Sequence, residues 1–146
     1  MKTQIDVRNL QTRIPLRPHL IAAKVKKFLS HEGIAAADLS IAIVSDSHIK
    51  SLNQKYLKHD YATDVLAFNL ASSCIGRAHG LYGEVVVSAD TAKRQSKVFK
   101  TTVSDELLLY IIHGILHLLG FDDYSAKDIT RMRAKEKAVL ARLKKK

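Results

Sequence analysis

The sequence predicts a single-domain α+β protein in which a small mixed β-sheet is packed with helices. Three observations lead there. The length of 146 residues suits one domain, and a 47% hydrophobic share suits a folded core. Short strand-like runs are interspersed with longer runs at helical spacing, without the strict alternation of a doubly wound sheet. One uncharged apolar run, Leu107 to Leu119, marks a buried central helix and is too short to cross a bilayer. No repeat, low-complexity block or Pro/Gly/Ser linker divides the chain, so residues 1–146 are read as one domain.

The elements follow in order. Gln4 to Asn9 reads as a strand with Ile5 and Val7 on one face. Pro18 opens a helix carrying Leu20, Ile21, Val25, Phe28 and Leu29 at helical spacing, and Gly33 stands where its C-terminal cap belongs. Leu39 to Val44 is a second strand. Ser45 or Asp46 then caps a helix whose stripe is Ile49, Leu52 and Tyr56. A polar turn, His59 to Ala62, leads into a strand-like run from Asp64 to Leu70. Ala71 to Gly83, with three glycines, is read as a loop, and the valine-rich Glu84 to Ser88 as a buried strand. A polar helix covers Ala89 to Phe99. The long apolar helix covers about Ser104 to Leu119, with Asp105 and Glu106 at its positive end and Gly120 placed to terminate it. The last helix begins near Ser125, with Asp128 as a capping partner and Ile129, Met132, Val139, Leu140 and Leu143 as its apolar stripe.

The charge balance narrows the partners. The net charge is +10, and nine basic residues against two acidic ones fall between Ser125 and Lys146. A cationic segment of this kind attracts phosphate polyanions by counterion release, although charge alone does not separate RNA, DNA and acidic lipid. It also suits a merely solvated helix face. Cys74 is the single cysteine, which excludes an internal disulfide framework and a Cys-rich zinc ribbon. The first residues lack the apolar centre of a secretory signal, so the expectation is a cytoplasmic protein with no membrane association.

The chemistry concentrates in His113-Gly-Ile-Leu-His117-Leu-Leu-Gly120-Phe-Asp122-Asp123. Two histidines four apart on a helix differ by about 40° around its axis, so both imidazoles can reach one ion. Gly120 lets the chain turn back and bring a carboxylate to the open side. Such a pair can equally be core histidines bonded to carbonyls. Gly114 weighs against that, because glycine inside a helix costs about 1 kcal/mol relative to alanine and calls for close packing or ligand access in return. Glycine after the first histidine excludes the zincin HExxH pattern and its general base.

This stretch resembles the HGxLHLxGxDH signature of the YbeY family, metal-dependent endoribonucleases of ribosomal RNA maturation. Asn53-x-x-Tyr56 with Thr63-Asp64-Val65-Leu66-x-Phe68 is similar to the family's NxxYR…TDVLSF stretch, and Gly83-Glu84-Val85-Val86-Val87-Ser88 resembles its GDI-type strand. The resemblance implies an α+β fold, one divalent ion held by the central helix, and hydrolysis of single-stranded RNA in or near the ribosome. The implied partners are ribosomal RNA and the small ribosomal subunit, with no DNA expected. Asp123 stands where the family has its third metal-binding histidine, so the expected ligands are His113, His117 and Asp123, with His79 as a distant alternative. Zinc is the first expectation, with manganese or nickel as alternatives, since an anionic third ligand makes harder ions more favourable. Asp122 is expected to orient a ligand or the water from outside the coordination shell.

Leu57 occupies the position of the family's arginine, so a phosphate-directed cation has to come from elsewhere, with Lys58, His59 and Arg77 as candidates. It also opens a second reading, a non-catalytic ribosome-associated RNA-binding protein. Asp64 is read as either a cleft residue or a strand-start carboxylate. Glu84 is read as an ordinary strand residue more readily than as a base beside the metal. Tyr56, Tyr61 and Tyr82 could stack bases but more often serve packing.

Overall fold

The computed structural model describes residues 3–57, 64–70, 80–121 and 123–144. Strand β1 (Thr3–Asn9) alternates exposed and part-buried positions, and β2 (Ala37–Val44) is buried on both faces along its second half. The alternating strand therefore belongs at an edge and the apolar one inside. That is the arrangement found. The sheet order is β1-β2-β4-β3, where β3 is Val65–Asn69 and β4 is Leu81–Ser88. β1, β2 and β4 run parallel, and β3 pairs antiparallel with β4 at the far edge.

Five helices complete the described residues: α1 (Pro18–His31), α2 (Asp46–Leu57), α3 (Ala89–Phe99), α4 (Val103–Leu118) and α5 (Ala126–Lys144). Residue parity along the strands divides the core in two. Leu39, Ile41, Ile43, Val85 and Val87 pack with Val25 and Phe28 of α1, Ile111 and Ile115 of α4, and Met132 and Val139 of α5. On the opposite face Ala42, Val44, Leu66 and Val86 pack against Ile49 and Leu52 of α2. Helices α3, α4 and α5 begin where the sequence has capping residues. Ser88 Oγ accepts from the Thr91 N–H, Thr102 Oγ1 from the Asp105 N–H, and Ser125 Oγ from the Asp128 N–H.

Two close approaches seat α4 on the sheet. A methyl group at Gly114 would lie 2.7 Å from Val85 Cγ1 and 3.1 Å from Val65 Cγ2. One at Gly83 would lie 2.7 Å from Leu118 Cδ1. Gly114 is thus explained by packing and not by ligand access. Gly83 also accounts for a boundary that differs from expectation. β4 starts at Leu81, inside the segment read as loop, because this glycine is a contact point for α4 and not a turn residue. Among the described residues, no helix is long and apolar enough to cross a membrane.

Candidate metal centre

The centre is built at the C-terminal end of α4. Gly120 has φ +102°, a conformation open to glycine at little cost. The Gly120 N–H donates to the His117 carbonyl at 3.0 Å and the Phe121 N–H to the Leu116 carbonyl at 2.9 Å, a Schellman closure. Phe121 then packs on the core, and the chain returns past the face of α4 that carries the histidines. Gly114, between them, faces the sheet, which leaves His113 and His117 on the side toward α5.

The geometry is compact. His113 Nε2 and His117 Nε2 are 3.1 Å apart. Asp123 Oδ2 lies 3.5 Å from His117 Nε2 and 3.8 Å from His113 Nε2. The three side chains offer ligand atoms that all lie within 4.8 Å of one another. Donors bound at about 2.0–2.2 Å to a tetrahedral ion would be roughly 3.3–3.6 Å apart, so the three fit one zinc-sized ion with little adjustment. Two imidazoles and a carboxylate are also the donor chemistry of hydrolytic zinc sites.

Glu136, on α5, completes the arrangement and was not anticipated from the sequence. Its Oε2 lies 2.7 Å from His113 Nδ1, and the residue is only 9% exposed. With the Nδ1 proton donated to this carboxylate, the Nε2 lone pair of His113 is directed toward His117 and Asp123. The signal was available: Glu136 falls four residues after Met132 and three before Val139, on the buried stripe of its helix. A carboxylate there requires a partner. Burial lowers the His113 pKa, but the hydrogen bond donated to Glu136 and the charges of Glu136, Asp64 and Asp123 outweigh it, so the net shift is upward.

A cavity of about 850 Å³ opens beside this edge. Its lining includes His113, Asp123 and Glu136 together with Asp64, Tyr110, Arg94 and Arg133. Burial and the charges of Glu106 and Asp64 push the Tyr110 phenol well above its ordinary range. Arg94 is held elsewhere, donating to Asp46 Oδ2 at 2.6 Å and to Thr91 Oγ1 at 3.1 Å.

Of the residues singled out from sequence, His113, His117 and Asp123 come together and Asp64 lines the adjoining cavity. Asp122, Lys58, His59, Arg77, His79 and Tyr61 lie outside the described residues, and Leu57 ends α2. Glu84 shares the parity of Val86, which packs toward α2, so it faces away from α4. Tyr56 meets Phe68 edge-on at 5.8 Å, on that same α2 side. Over its described residues the basic C-terminal helix is docked on the rest of the fold. Lys135 pairs with Glu32 at 2.8 Å, Lys144 with Asp105 at 3.5 Å, and Leu143 is buried.

A family model described as endoribonuclease YbeY matches residues 5–144. The chain belongs to the YbeY family. A relative named endoribonuclease YbeY from Carboxydothermus hydrogenoformans is 35% identical over 141 residues, spanning 94% of this chain and 96% of the relative. Another of that name, from Salinibacter ruber, is 38% identical over 116 residues, 77% of this chain and 74% of the relative. The solution structure of TM1509 from Thermotoga maritima matches with a TM-score of 0.69 at 28% identity, covering 96% of this chain and 89% of that one. The α+β architecture anticipated from sequence is thus shared with a solved structure, and the motifs stand in a chain of the YbeY family.

Proposed function

We propose that this protein is a metal-dependent endoribonuclease that cleaves single-stranded RNA during ribosomal RNA maturation and ribosome quality control in the cytoplasm. One observation carries this reading: His113, His117 and Asp123 converge, with His113 oriented by Glu136, in a YbeY-family chain. These three residues would hold one divalent ion, zinc first, with manganese or nickel as alternatives. When bound, such an ion supplies Lewis acidity and a lowered pKa for water. The remaining work belongs to the chain. Glu136 fixes the tautomer and ring plane of His113. Asp122 is assigned to orienting a ligand or the attacking water, and Lys58, His59 and Arg77 to contacting the RNA backbone. The partners are ribosomal RNA and the small ribosomal subunit, toward which the basic residues of α5 supply long-range attraction. Leu57 supports one competing reading, a non-catalytic RNA-binding protein of the same fold.

The test is cleavage of a single-stranded oligoribonucleotide by freshly purified protein, with and without chelator, alongside His117→Ala. Products that vanish with chelator and in the variant, and return when zinc or manganese is restored to the wild type, support the enzyme. Salt-sensitive RNA binding without products at any metal concentration supports the non-catalytic reading.

A further inference from the structure

We propose that Arg133 is a phosphate-gripping cation of the cleft, holding the RNA backbone beside the candidate metal ligands. This rests on the RNA reading above. Arg133 stands on α5 one turn before Glu136 and lines the same cavity as His113, Asp123 and Asp64. Its neighbours on the helix are committed inward, with Met132 and Glu136 buried, while Arg133 itself is exposed. Among the described residues it has no ionic partner.

The surroundings explain why such a cation is needed. The cavity wall carries the carboxylates of Asp64, Glu106, Asp123 and Glu136, an anionic lining that repels a polyanion. Arg94, the other arginine among the described lining residues, has its guanidinium occupied by Asp46 and Thr91, and the Asp46 bond ties α3 to the start of α2. Among the described residues, Arg133 therefore remains as the uncommitted positive charge of the lining. Its planar fork can grip two non-bridging phosphate oxygens at once, which an ammonium cannot do. A cation is thus supplied from α5, whereas the end of α2 carries the uncharged Leu57.

The experiment compares Arg133→Ala, Arg133→Lys and Arg131→Ala, all metal-loaded. Binding to a fluorescein-labelled single-stranded oligoribonucleotide is read by anisotropy before turnover, over a series of KCl concentrations. Arg131→Ala removes the same charge from the same helix outside the cavity. Arg133→Ala should weaken binding about ten-fold relative to Arg131→Ala, as expected for a lost charge-assisted hydrogen bond. It should also lower the salt slope by about 0.7, one phosphate contact on a single strand. Arg133→Lys should keep the slope and recover only part of the affinity. Equal affinities and slopes for Arg133→Ala and Arg131→Ala, with a wild type that binds and cleaves, would overturn the assignment of Arg133 and leave the RNA reading intact. A wild type that neither binds nor cleaves would overturn the RNA reading itself and Arg133 with it.

Discussion

Replacing Glu136 separates the centre's orientation from its ligand set. The His113 Nδ1 to Glu136 Oε2 bond is 2.7 Å long, and the two side chains are 26% and 11% exposed. A hydrogen bond to a charged group in such a setting contributes about 1.5–3 kcal/mol. Losing an outer partner of a metal-bound histidine typically lowers metal affinity ten- to a hundred-fold, about 1.4–2.7 kcal/mol, the same range. Glu136→Gln retains an oxygen that can accept the Nδ1 proton and removes only the charge, so it should fall near the ten-fold end. Glu136→Leu removes the acceptor as well and should fall near the hundred-fold end. Leucine also suits the buried stripe of Met132 and Val139, so the fold should persist. The assay is a competitive zinc titration against a chromophoric chelator. The carboxylate has a second effect of opposite sign. It favours the imidazolium in the metal-free protein, so a proton competes with metal as pH falls through the raised His113 pKa. Wild-type affinity should therefore fall more steeply with acid than that of Glu136→Gln. Unchanged affinity in both variants would refute the orienting role.

Three further outcomes follow from the same structure. Burial raises the Asp46 pKa, but hydrogen bonds from Arg94, Ser88 and Thr91 outweigh it and hold the carboxyl below its ordinary 3.8. Its contribution is therefore fully present above that value and lost as pH falls through the lowered one. Urea midpoints of wild type and Asp46→Asn should converge on acidification, and a constant gap would contradict the network. Gly114→Ala gains about 1 kcal/mol of helix propensity but forces a methyl against Val85, an overpacking cost of about 1–3 kcal/mol. It should lower the urea midpoint, and an equally stable variant would mean that α4 sits farther from the sheet. Leu143 is 6% exposed in the core, so Leu143→Ala should destabilise by about 2–5 kcal/mol in thermal or urea unfolding. A variant within 0.5 kcal/mol, roughly the range of ordinary surface substitutions, would mean that the last turn is not docked.

The parts of this protein legible in sequence are those governed by local spacing. Helical periodicity and Gly120 marked α4 and its end, and the HxxxH spacing placed both imidazoles on one face before any tertiary information. The third donor, Asp123, was reached through the position of the family's histidine. The parts that escaped depend on contacts between distant elements. The start of β4 was hidden because Gly83 reads as a turn residue until Leu118 is seen to occupy the space of its side chain. Glu136 escaped because a carboxylate on a basic helix reads as solvated, although its register with Met132 and Val139 marked it as buried. The docking of α5 depends on Glu32 and Asp105, far away in sequence. The face of the sheet on which Glu84 lies follows from the placing of α2 and α4 on opposite sides.

The ligand set itself is tested most directly by elemental analysis of freshly purified wild type, His117→Ala, Asp123→Ala and Asp123→His. A His113–His117–Asp123 ligand set predicts one equivalent of divalent metal in the wild type and in Asp123→His, and little in His117→Ala or Asp123→Ala. Full metal content in Asp123→Ala would contradict it and place the third ligand on another residue.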